Sequence, residues 1–267
     1  MIGLRRVFAL VLRQYYLYRG SVARLMPVFI WSFLDMVLWG FMSQYLNRIA
    51  GPAYNFVPAL LGAVLLWDFF SRVMQGVTTA FFEDVWSRNF LNLFASPLSV
   101  SEYVGGLVLS SIATSAVGLV VMLIVATLAF GLNFFSYGIA LYPFLLVLFL
   151  FGIAMGIFGS SLVLRLGPAA EWFIWPIPAM VSPFAGVFYP LSTLPAWMRV
   201  VSRVIPASYV LESTRAIAAG RGADFGSLAI SAALAVLYIL AAGWIFTRVY
   251  RRAVRTGLIA RYSAESV

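Results

Sequence analysis

Several stretches of this chain stay apolar for as long as a helix needs to cross a membrane. Positions 25–46, 56–80, 103–130, 137–164 and 225–246 each reach the ~20 residues that span a hydrocarbon core ~30 Å thick. No water reaches backbone N–H and C=O groups inside a bilayer, so only helices and closed barrels cross it. Barrel strands would alternate polar and apolar residues over ~10-residue segments, a pattern these runs lack. The fold class is therefore all-α, a polytopic membrane protein. Composition agrees: 63% of the side chains are hydrophobic, 10% are charged, and the mean hydropathy is +0.97.

A shorter, proline-broken span over 172–189 brings the expected number of transmembrane helices to six. With the N-terminus in the cytoplasm, twelve arginines fall inside and five outside (Arg48, Arg199, Arg203, Arg215 and Arg221), while Arg72 lies within a span. That asymmetry follows the positive-inside rule, and an even span count puts both termini in the cytoplasm of a cell inner (plasma) membrane. No linker or low-complexity run interrupts the plan, so 1–267 reads as one membrane domain. Its parts are an interfacial helix (1–24), spans one and two (25–80), a cytoplasmic segment (81–99), spans three to five (100–189), outer re-entrant helices (190–224), and span six with a basic tail (225–267).

The net charge of +9 comes from arginine alone, because the chain has no lysine. Those arginines gather at membrane ends rather than along one face, which argues against nucleic acid and for lipid headgroups as partners. Histidine and cysteine are absent, which removes disulfides, imidazole and thiolate metal sites, and the commonest general base. No catalytic, cofactor or metal site is expected. Arg13 and Arg19 interrupt any signal-peptide core near the N-terminus. Leu4, Phe8, Val11, Tyr15 and Tyr18 share one helical face, with Arg6 and Arg13 opposite, the pattern of a helix lying on an anionic leaflet.

Between spans two and three lies FFEDVWSRNFLNLFASPLSVSEY, 81–103. A helical wheel puts Phe82, Val85, Trp86, Asn89, Phe90, Leu93 and Phe94 on one side and Asp84, Ser87, Arg88 and Asn92 on the other. Leu91 falls within the polar side, forming a ridge with Asp84 and Arg88 that suggests a protein partner. Pro97 ends this helix, and Ser99 with Glu102 fits a capping box that starts span three afresh. The segment reads as a separate rigid helix.

The stretch 190–221 is too polar to span and too apolar for an ordinary loop, so short helices dipping into the outer interface are expected. Pro206 separates two of them, and Glu212 with Arg215 sits at i, i+3 spacing for an ion pair. Within the membrane, Arg72 has two acidic neighbours to choose from: Asp35, matched in depth on span one, or Asp68, one turn away. Charges with available partners neutralise each other, so a structural role is read for all three. Gly152, Gly156 and Ser160 form a small-residue ridge suited to close helix packing. Asp224 can N-cap span six.

Three features together resemble the permease subunits of the ABC type-2 exporter family: the basic amphipathic leader, FFEDVWSRNFLNLFASPLS after span two, and FAGVFYPLSTLPAWMRVVSRVIPASYVLESTRAI before span six. The resemblance covers essentially the whole chain, and the last pattern is the most specific. It implies that 81–99 holds the coupling helix that docks into an ATPase cleft, with Glu83, Asp84, Ser87, Arg88 and Leu91 as contact residues. Apart from the resemblance, half-inserted helices over 190–221 read as lining an exit or gate, with Tyr189, Pro190, Trp197, Arg199, Pro206, Tyr209, Glu212 and Arg215 as its residues, or as a structural plug at the bundle's outer end. Without lysine the chain holds no G-x-x-x-x-G-K-[ST] phosphate loop, so ATP and Mg belong to two partner ATPase subunits, with a second permease copy or homologue completing the pathway. The cargo implied is an amphipathic drug, a lipid or a glycan. Two other classes remain: an ion-gradient-driven secondary carrier, which would want inverted repeats and unpaired midplane carboxylates, and a non-transport assembly subunit.

Overall fold

In a computed structural model, which describes residues 3–51, 56–87, 93 and 96–257, the chain is all-helical and no strand occurs among the described residues. The long helices are α1 (Leu4–Arg19), α2 (Val22–Ala50), α3 (Gly62–Trp86, entered through a π-helical turn at Val57–Leu61), α4 (Val100–Phe130) and α5 (Leu141–Leu166). Four shorter pieces follow, α6 (Glu171–Ile174), α7 (Ile177–Ala185), α8 (Ala196–Ser202) and α9 (Pro206–Ala218), before the final long helix α10 (Phe225–Arg255). Four helical stretches among the described residues are long and apolar enough to cross a membrane: 57–86, 100–130, 141–166 and 225–255.

Local chemistry sets the helix ends. Ser99 Oγ accepts the Glu102 N–H at 3.3 Å while Glu102 Oε2 accepts the Ser99 N–H at 2.8 Å, so the expected capping box opens α4. At the other end Gly131 takes a left-handed φ of 69°, and its N–H and that of Leu132 return to the carbonyls of Thr127 and Ala126. Asp224 caps α10 as expected, accepting from the Gly226 N–H at 2.9 Å. The π turn before α3 includes Pro58, which lacks an N–H to donate, and the Pro58 carbonyl takes the Tyr137 hydroxyl at 2.6 Å.

Helix α3 is the centre of the bundle, packed between α4 and α5, while α10 lies along α5 and α2 along α4. The predicted small-residue ridge explains how closely α5 approaches α3. A Cβ on Gly152 would stand 2.8 Å from Val73 Cβ, and one on Gly156 would stand 2.6 Å from Val77 Cβ and 2.9 Å from the Met74 carbonyl. Phe70 of α3 stacks on Phe151 of α5 at 4.9 Å, and Phe151 meets Tyr238 of α10 edge-on at 5.2 Å. By contrast α2 and α3 hardly touch, although both rest on α4. A cleft is left between them.

The stretch 172–189 is broken at proline as expected: it is divided into α6 and α7 at Trp175–Pro176 and closed by Gly186 at φ 68°, and neither piece alone is long enough to cross a bilayer. One expectation changes. Residues 81–86 do not begin a separate helix. No glycine or proline follows Gly76 in this stretch, so the span runs on as one helix to Trp86 and closes with the Ser87 N–H on the Glu83 carbonyl. Arg88, Leu91 and the rest of 88–92, with 94 and 95, lie outside the described residues.

Candidate functional site

At the end of the bundle where α3 stops and α4 starts, α1 is bound to both. Asp84 is only 1% exposed; it receives the Arg13 guanidinium from α1 and the Tyr103 hydroxyl from α4, the latter at 2.7 Å. Glu83 pairs with Arg24 at the foot of α2 at 2.9 Å. Across the intervening segment, Glu102 accepts the Gly3 N–H at 2.7 Å and pairs with Arg6 at 3.4 Å, and Arg6 also donates to the Pro97 carbonyl. Gln14, 5% exposed, adds a bond from its amide to the Ala80 carbonyl at 3.3 Å. Hydrogen bonds and charges from α1 and the foot of α2 therefore hold both ends of 87–99.

Asp84 was expected on an outward face, and the structure corrects this. The wheel treated 81–94 as an isolated helix with solvent on its polar side, whereas α1 lies over that side and buries the carboxylate. Its ridge with Arg88 and Leu91 therefore starts from a residue already bonded within the chain. Glu83 is 13% exposed and ion-paired, and Ser87 is exposed, its hydroxyl bonded to the Asp84 carbonyl at 3.4 Å. Helix α1 also turns its expected faces in an instructive way. Leu4, Phe8 and Tyr15 are 79%, 66% and 55% exposed, while the exposed Arg6 and the half-buried Arg13 turn to the carboxylates of Glu102 and Asp84. The apolar side of α1 is left outward, as a helix lying in a membrane surface requires.

The cleft between α2 and α3 carries the second feature. Apart from Asp68, the residues of α3 that are not buried lie along one stripe: Arg72, Gln75, Gly76, Thr79, Glu83 and Trp86. Their spacing follows one helical face for about 21 Å at 1.5 Å per residue. Tyr18 of α1, Arg24 and Trp31 of α2, Thr114 of α4 and Trp175 complete a cavity of about 300 Å³ around that stripe. Sequence reasoning had singled out Arg72 and Glu83 separately and missed Gln75 and Thr79 between them. The i, i+3, i+7, i+11 spacing of the four was visible, but an apolar helix hides so thin a stripe unless its other faces are known to be buried.

Of the two pairings open to Arg72, the structure forms the one along its own helix: Arg72 Nε lies 2.9 Å from Asp68 Oδ2. Asp35, half-buried on α2, stays within electrostatic reach of both. The guanidinium lies over Gly118 of α4, where a Cβ would stand 2.7 Å from Arg72 Cδ.

At the opposite end the segment 186–221 folds back on itself. Arg215 pairs with Glu212 at 3.3 Å and donates to the carbonyls of Gly186 and Val187, the second at 2.8 Å. Glu212 also accepts the Leu191 N–H at 3.4 Å, which ties the turn after α7 to α9. The Tyr189 hydroxyl donates to the Pro183 carbonyl at 3.0 Å, and that of Tyr209 to the Arg203 carbonyl at 2.9 Å. Pro206 opens α9 at its first turn, where a missing N–H costs nothing. Pro190, Trp197 and Arg199 are exposed, Trp197 edge-on to Phe184 at 6.1 Å.

A helical bundle with membrane-crossing helices and one polar stripe along its central helix has the make-up of a membrane transport subunit. More narrowly, the chain belongs to the ABC-2 type transporter family, whose pattern it matches over residues 4–218, from α1 through α9. Members of this family are membrane permeases rather than catalytic domains, and they work with ABC ATPase partners. No curated protein matches the chain.

Proposed function

We propose that this chain is the permease subunit of an ATP-driven exporter in a cell inner membrane, that two copies or a copy and a homologue enclose the pathway, and that two separate ATPase subunits drive it through segment 81–99. The observation that carries this reading is the α3 stripe. A polar face on an otherwise buried membrane helix faces either protein or a water-lined path, and in the single chain this one faces the open α2–α3 cleft. The stripe ends at Glu83 and Trp86, where the ATPase-facing segment begins.

Beside the stripe, α2 leaves Trp31, Leu34, Leu38, Phe41 and Tyr45 exposed, a face that a second copy would cover across a two-fold axis. Six crossings, with α6 and α7 together making a broken fifth, would put both termini in the cytoplasm with the arginines of α1. ATP-driven closure of the partners would push 87–99. Because α1 and the foot of α2 grip both ends of that segment, the push would reach α3, α4 and α2 as one rigid-body change of the interface.

The test is the double variant Arg88→Asp and Leu91→Asp. ATPase association or coupled export should be lost while the permease still purifies as a folded, monodisperse protein. Unchanged association and export would overturn the proposal.

A further inference from the structure

Arginines at the α1 end of the bundle are used in two ways. Arg6, Arg13 and Arg24 each meet a carboxylate of the chain. Arg248, Arg251, Arg252 and Arg255, on the last turns of α10, are exposed and have no carboxylate partner among the described residues. At 3.6 residues per turn the four fall within an arc of about 100°, on the side of α10 opposite the buried Ala242, Phe246 and Ala253. Arg248 with Arg251 and Arg252 with Arg255 stand at i, i+3, while Arg248 with Arg252 and Arg251 with Arg255 stand at i, i+4. Like charges at these spacings repel. The helix dipole offsets that repulsion only in the last turn, and Arg248 lies before it.

Aromatic contacts give the depth of this cluster. Phe246 meets Phe81 edge-on at 6.4 Å, and α10 runs the same way as α3, so two residues further on Arg248 comes near the level of Glu83. There the Arg13 and Arg24 ion pairs bind α1 and the foot of α2, and the outward Leu4 and Phe8 of α1 mark the membrane surface. Tyr238 meets Phe151 of α5 at 5.2 Å, and counting equally along both helices brings Arg165, exposed at the end of α5, near the level of Arg252. Toward the membrane interior the same face of α10 turns apolar. Leu237, Leu240 and Trp244 are exposed along it, and the Arg248 guanidinium lies 4.4 Å from the centre of the Trp244 ring. The face is therefore hydrocarbon-facing as far as the indole, and cationic for about 10 Å beyond Arg248.

Charge and depth together name the occupant. A soluble polyanion would use the guanidiniums and leave the apolar strip to other lipids, whereas a neutral lipid would cover the strip and leave four like charges unrelieved. A headgroup with a single phosphate relieves only part of that repulsion, and Arg takes phosphate oxygens two at a time. We infer that the Arg248–Arg255 face of α10 binds a phospholipid with two linked phosphates from the leaflet on the α1 side, the phosphates lying among the guanidiniums and an acyl chain along Leu240 and Leu237. The site is separate from the α2–α3 cleft, and it stands whether or not the transport reading does.

The experiment is native mass spectrometry of the full chain in detergent, without any ATPase, titrated with cardiolipin, with the one-phosphate phosphatidylglycerol and with phosphatidylcholine. Inorganic diphosphate serves as a soluble competitor. Cardiolipin should bind saturably and about tenfold tighter than phosphatidylglycerol, and diphosphate at equal concentration should not displace it. Arg248→Gln with Arg252→Gln should weaken cardiolipin by about tenfold. Arg251→Gln with Arg255→Gln should act alike, and serves if the first pair does not fold. Arg5→Gln with Arg19→Gln removes the same charge from exposed positions of α1 and should change binding by less than about twofold. Equal binding of the two anionic lipids, displacement by diphosphate, or equal weakening by the α1 and α10 pairs would overturn the inference, the last because it would show only the general attraction of a basic surface. So would an α10 variant that keeps its lipid but no longer associates with an ATPase, since the arginines would then face that partner.

Discussion

Both ends of the bundle are tied by arginine and carboxylate, yet they are tied differently. At the α1 end the partners are remote: Arg13 and Asp84 are 71 residues apart, and Arg6 and Glu102 are 96 apart. At the α9 end the ion pair is local, Glu212 and Arg215 being 3 residues apart, and the pair's other bonds reach the backbone of Gly186, Val187 and Leu191, 21 to 29 residues away. The remote ion pairs join α1 to α3 and to α4, whereas the local pair braces one face of α9 and holds the turn after α7 against it. The first arrangement suits the passage of force into the bundle, and the second suits a stiff plug.

The comparison breaks most readily at Arg13. Arg13→Ala would leave the Asp84 carboxylate buried with only Tyr103 for a partner, at a cost of about 3 kcal/mol in thermal unfolding in detergent. Adding Asp84→Leu should recover most of that loss; if the single variant is as stable as the parent, the α1 end is not held as described. Gly156→Leu tests the packing common to both ends. Overpacking α3 against α5 should cost about 2 kcal/mol, read as a lower melting temperature.

A smaller effect is expected at the opposite end. Glu212→Gln weakens the bond to Arg215 and should cost about 1 kcal/mol. It should leave ATPase association untouched, whereas Arg13→Ala should reduce it, and equal effects of the two variants on association would erase the distinction between the ends. The smallest effect belongs to Asp224. The Ser227 hydroxyl and the N–H groups of Gly226 and Ser227 hold its carboxyl below the ordinary aspartate range. Its stabilisation is therefore present above the unfolded value near ~4 and fades as pH falls through the lower folded value. Asp224→Asn should flatten that acid-side slope in a melting-temperature series.

Much of the architecture was legible because its signals are local. The capping box at Ser99, the cap at Asp224, the Glu212–Arg215 pair and the Gly152–Gly156 ridge each depend on residues within a turn or two of one another, and each forms as expected. The errors came where helices meet. Asp84 looked outward because nothing in its own helix reveals that Arg13 will lie over it. The α3 stripe stayed hidden because an exposed face is defined only by what covers the others.

The sequence by itself determined that the chain is helical and membrane-embedded, where its helices are capped, and that it resembles the family to which it belongs. Hydrophobic length, turn residues and i, i+4 spacing carry that information, and all three are short-range properties of a chain. Only the tertiary structure decided that α2 stands away from α3, that α1 is bonded to both sides of 87–99, and that a cavity along the α3 stripe opens between α2 and α3. Those are facts about helices distant in sequence, and packing alone brings them together.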